Sequence, residues 1–77
     1  MSDRLPRVTA REIIAALRRA GWEHVRTSGS HKQLRHPNRP GLVTVPDHSG
    51  ETIFPVILKS ILRQAGLTGD EFRKLLE

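Results

Sequence analysis

Cysteine is absent from the 77 residues, which excludes disulfide staples and a thiolate-rich zinc site as supplements to a small core. Such a chain depends on hydrophobic packing or on a partner, and its thiol-free composition suits a reducing, cytoplasmic setting. Long apolar runs are missing too. The longest, Ile53 to Leu58, is interrupted by Pro55 and falls far short of the roughly 20 residues that span a bilayer. The N-terminus lacks the apolar h-region of a secretory signal, so residues 1–8 read as a polar lead-in. With 36% hydrophobic and 27% charged residues in 8.7 kDa, two separate cores would each fall below the size that folds alone. Residues 1–77 are therefore expected to form one domain.

Acidic residues are also scarce, 8 against 13 Lys and Arg, for a net charge of +5. The excess is localised. Arg18, Arg19, Arg26, Lys32, Arg35 and Arg39 stand against Glu23 alone, so the stretch from Arg18 to Arg39 accounts for the whole net charge, and it also holds His24, His31 and His36. A cation-rich segment on an otherwise balanced chain suggests a polyanion, nucleic acid being the commonest. A basic face that is merely solvated is the alternative.

Two helix starts carry the same signature. Thr9-Ala10-Arg11-Glu12 is a capping box, with Val8 and Ile13 at the staple positions and Gly21 as the left-handed stop, which predicts a helix from Ala10 to Ala20. Leu67-Thr68-Gly69-Asp70-Glu71-Phe72 repeats the pattern and opens a short terminal helix. Between them, Pro55 fits a first helical turn followed by an apolar set of Val56, Ile57, Leu58, Ile61, Leu62 and Ala65, with Gly66 at the end. The middle has strand character. Trp22 to Thr27 and His31 to His36 flank Ser28-Gly29-Ser30, a hairpin connection; Leu42 to Val45 follows the turn-forming Pro37-Asn38-Arg39-Pro40-Gly41. The expected class is α+β, in the order α-β-β-β-α with a short C-terminal helix, the helices covering one face of a three-stranded antiparallel sheet.

Strand alternation then sorts the candidate side chains. Leu34, the large apolar residue of the second strand, shares a face with Lys32 and His36, which leaves His31, Gln33 and Arg35 on the other. If Leu34 faces the helices, His31 lies open beside cations. Gly29 permits close backbone approach by a ligand, and the Ser30 hydroxyl can donate to a phosphate oxygen. An imidazole so placed can move protons around a phosphodiester, although most exposed histidines do nothing. His36 reads more readily as the end of its strand, His24 as plain surface and Trp22 as a core anchor, while His48 sits in a loop free to reach the open face. No Asp-His pair orients Ser30 as a nucleophile. His31 and His36 have opposite parity and no carboxylate cluster beside them, so no metal site or cofactor is expected.

Gly21-Trp22, Arg26, Gly29-Ser30-His31, His36-Pro37, Val45-Pro46, His48 and Ile61-Leu62-Arg63-Gln64-Ala65-Gly66-Leu67 together resemble the HicA toxins of bacterial toxin-antitoxin pairs. The likeness runs from about Thr9 to Leu76. It implies a double-stranded-RNA-binding-domain fold, ribonuclease activity on mRNA, silencing by a HicB-like antitoxin, and His31 as the catalytic residue. Gly29, Ser30, Lys32, Arg35, Arg26 and His48 are the candidate RNA contacts, with Arg35 favoured over Lys32 by parity. A non-catalytic RNA-binding module of the same fold is the alternative. Double-stranded-RNA binders, however, usually gather lysines where their last helix begins, and here only Lys59 and Arg63 lie on that helix, neither at its start.

Overall fold

The computed structural model describes residues 5–77; residues 1–4 of the expected lead-in lie outside the described residues. The chain forms α1 (Ala10–Arg19), β1 (Glu23–Ser28), β2 (His31–His36), β3 (Arg39–Pro46), α2 (Pro55–Ala65) and α3 (Gly69–Leu76). The strands form one antiparallel sheet in the order β1-β2-β3. This is the α+β architecture that the sequence predicts.

Both capping boxes form. The Glu12 N–H donates to Thr9 Oγ1 at 3.3 Å while the Thr9 N–H donates to Glu12 Oε1 at 2.8 Å; Thr68 and Glu71 make the same exchange at 3.1 and 2.8 Å. Each exchange satisfies two backbone donors that a helix start leaves without partners. α1 closes one residue earlier than predicted. The Gly21 N–H bonds Arg18 O and the Trp22 N–H bonds Leu17 O, both at 3.0 Å, the crossed pair of a Schellman ending. Gly21 takes φ +99 there, and the turn delivers Trp22, 2% exposed, into the core.

Two-residue turns join the strands, Gly29-Ser30 and Pro37-Asn38. Gly29 adopts φ +60 and Ser30 does not share the positive sign, the pattern of a II′ turn, whose twist suits a hairpin. β3 starts at Arg39, three residues before the expected Leu42. Arg39 pairs with His36, and the register shifts before Leu42 pairs with Arg35, so Pro40 and Gly41 are a bulge within the strand. An edge strand tolerates this, since a proline there need not donate to a ladder.

One face of the sheet presents Leu34, Val43 and Val45, all fully buried, to Ile13, Ala16 and Leu17 of α1 and to Leu58, Ile61, Leu62 and Ala65 of α2. Phe72 of α3 and Val8 complete the core, and Leu5 packs against it. The apolar set expected for α2 is only partly inward. Val56 is 72% exposed and Ile57 36%. At about 100° per residue, Val56 lies roughly 200° around the helix from Leu58 and so points away from the stripe that Leu58, Ile61, Leu62 and Ala65 define. Among the described residues, no helix is long and apolar enough to cross a membrane.

Candidate nucleic-acid interface

Residues paired across an antiparallel sheet share a face, so the register reads out the surface opposite the core. Three rows cross it: Ser28, His31 and Pro46; Arg26, Gln33 and Thr44; Glu23, Arg35 and Leu42. His31 stands in the row next to the Gly29-Ser30 turn, exposed, and its ring makes no hydrogen bond or ion pair among the described residues. One row away, Arg26 Nε donates to Gln33 Oε1 at 3.1 Å, which fixes the guanidinium over the face. Arg35 lies in the third row. It is exposed, and although it is the register partner of Glu23, the two form no salt bridge.

The turn is tied to the β3–α2 connection. The Asp47 N–H donates to Ser30 O at 2.6 Å, bringing the segment that carries His48 to the end of the sheet where His31 lies. His48 is exposed there. Lys32 points to the opposite face and is held by Asp47, with Nζ and Oδ2 2.7 Å apart. The structure thus gathers Gly29, Ser30, His31, Arg26 and Arg35 along one face and its adjoining turn, places His48 at their margin, and sets Lys32 apart from them.

The other histidines are occupied. His36 Nε2 donates to Ala20 O and its Nδ1 accepts the Asn38 N–H, each at 3.0 Å, a pair of partners that fits the neutral ring with its proton on Nε2. The ring also meets Trp22 edge-on, centroids 5.3 Å apart at 64°. His36 therefore ties the end of α1 to the second turn. His24 Nε2 lies 2.8 Å from Thr27 Oγ1 on the surface of β1. Sequence reasoning took His36 as a strand end; nothing local shows that Ala20 O and Asn38 N converge on its ring.

An open sheet face with a partnerless imidazole, two guanidinium groups and a glycine turn suits an extended polyanion. Planar guanidinium forks can bond phosphate oxygens, and the imidazole can accept or give a proton. A search of curated proteins found no match. A family model described as the HicA toxin of bacterial toxin-antitoxin systems matches residues 10–67, a span from the first residue of α1 through the end of α2. With the expected order of elements in place over that span, the chain belongs to the HicA toxin family.

Proposed function

We propose that this toxin is a metal-independent endoribonuclease that cleaves mRNA in the cytoplasm, with His31 as general acid/base. The observation that carries the reading is the His31 imidazole, exposed and without a partner among the described residues, on the face shared by Arg26 and Arg35. RNA brings its own nucleophile. Removal of the 2′-hydroxyl proton lets that oxygen attack the adjacent phosphorus; the bond to O5′ breaks, and a proton delivered to O5′ completes the step. The products are a 2′,3′-cyclic phosphate and a 5′-hydroxyl end. His31 performs one of these proton transfers, a role that contributes typically about 10²- to 10⁴-fold. His48 is the candidate for the other.

Arg35 and Arg26 offset the negative charge that grows on the phosphorane oxygens. Gly29 lets the strand approach the turn without a side chain in the way, and Ser30 offers a hydroxyl donor. Lys32, paired with Asp47 on the far face, has no part at His31 in this scheme. Membership of a toxin-antitoxin family supports the remaining element, a HicB-like antitoxin that holds the enzyme silent.

The test is His31→Ala. Cleavage of RNA and growth arrest should both disappear while the circular dichroism spectrum stays that of wild type, because an exposed ring adds little to packing. Wild-type cleavage should persist in EDTA and leave the cyclic phosphate. A purified His31→Ala protein that cuts RNA at the wild-type rate would show the assignment to be wrong. A wild-type protein that binds RNA and never cuts it would be a binding module instead.

A further inference from the structure

Behind the strand that carries His31, on the helix side of the sheet, α1 and the β3–α2 connection border a groove of about 580 Å³. Arg11 and Arg18 line one side. Seven residues apart, they stand two turns along one face of α1, about 10 Å from each other along its axis. Lys32, Asp47, Ser49 and Gly50 line the other side.

The charges in the groove are not equivalent. Lys32 is neutralised by Asp47 at 2.7 Å, whereas no carboxylate among the described residues pairs with Arg11 or Arg18. The concavity therefore holds two unopposed guanidinium groups, the side chain whose planar fork best matches phosphate oxygens. Ser49 adds a hydroxyl, and the space beside the Gly50 Cα is open, with no atom within 4 Å of where a Cβ would lie. The groove also adjoins the site described above. Lys32 follows His31 directly, and the Asp47 N–H bonds Ser30 O, so one corner of the fold presents His31 to one side and the groove to the other.

We propose that the groove is a second contact for single-stranded RNA, in which Arg11 and Arg18 hold backbone phosphates flanking the one presented to His31. This rests on the ribonuclease reading and extends it to the path of the substrate. A strand curving around the end of the sheet meets two cations before or after the scissile phosphate, which raises occupancy without reading sequence.

Binding is measured by fluorescence anisotropy over a range of KCl concentrations with a 2′-O-methyl RNA oligonucleotide, which lacks the attacking hydroxyl. Loss of two single-strand phosphate contacts in Arg11→Gln/Arg18→Gln should reduce the log-log salt slope by about 1.4 and weaken binding on the order of 25-fold at 0.1 M salt. Arg11→Lys/Arg18→Lys should keep the slope, since it keeps the charge. His31→Ala should keep it too, which separates this site from catalysis. Arg11 and Arg18 are both exposed, and circular dichroism verifies that the variants fold. Wild-type slope and affinity in the Gln pair would overturn the proposal, as would a Gln pair that keeps RNA and loses only an acidic protein partner. A wild-type protein that shows the slope change on mutation yet cuts no RNA would retire the nuclease reading and leave the groove standing. Absence of RNA binding by the wild type would remove both.

Discussion

Both ring nitrogens of His36 are engaged and the ring meets Trp22 in a T-shaped contact, while the ring of His31, five residues earlier on the same strand, has no hydrogen-bond or ion-pair partner among the described residues. Alternation is the cause: one ring turns toward the layer of helices and the other away from it. The inward ring even dictates a neighbour, since a Cβ on Gly21 would lie 2.6 Å from His36 Nε2 at a φ that side chains rarely adopt. His36→Ala removes two hydrogen bonds, leaves Ala20 O and the Asn38 N–H without their partner, and opens space beside Trp22. Each hydrogen bond contributes about 1 kcal/mol net, so the variant should lose about 2 kcal/mol or more, which lowers Tm by roughly 8 to 16 °C for a domain of this size. Thermal unfolding checks this. An unchanged Tm would mean that the ring is not a strut.

At the scale of elements, the phase of α2 decides which apolar residues hold the fold. Ile61→Ala, at a position 1% exposed, should cost about 2 to 5 kcal/mol, and Val56→Ala, at 72% exposure, no more than about 0.5 kcal/mol. Urea unfolding distinguishes the two. Equal losses would place Val56 in the core and rotate the helix. The sequence alone offers Val56 and Ile57 as equal members of an apolar set, because a run of adjacent apolar residues states that a face exists and not where it is centred. The helix starts were legible for the opposite reason: a capping box is a contact between residues three apart, complete within the segment that displays it. β3 lay between these cases. Pro40-Gly41 has the composition of a turn, and only the pairing of Arg39 with His36 converts it into a bulge. The parity of β2 was readable from Leu34 and placed His31 outward. The stripe of Arg11 and Arg18 at helical spacing was equally readable, yet what gives it meaning, a groove facing Lys32 and Asp47, exists only once α1 and the β3–α2 connection meet.

For the whole molecule, the proposed function leads to the expectation that a single partner can silence it. Under the proposed function an antitoxin holds the toxin inactive, and the face that carries His31, Arg26 and Arg35 is open and bordered by a two-residue turn, so a protein laid against it would exclude RNA and cover the proposed proton carrier together. The two guanidinium groups of Arg26 and Arg35 on this face, in a chain of net charge +5, favour an antitoxin that is acidic where it touches it. Charge complementarity acts chiefly on the rate of encounter, and surface charges are screened over about 10 Å at 0.1 M salt. Association should therefore slow as salt rises, while dissociation, set by close contacts, changes less. Co-expression with the product of the adjacent gene, followed by stopped-flow association at several salt concentrations and a structure of the pair, tests both halves. The expected complex buries Gly29, Ser30 and His31 and releases active ribonuclease when the antitoxin is removed. An antitoxin seated only on the helices, with His31 open to solvent, would overturn inhibition by coverage even though the complex itself was real. Inhibition would then have to reach His31 from the helix side, for which the turn that the Asp47 N–H ties to Ser30 O is a direct route.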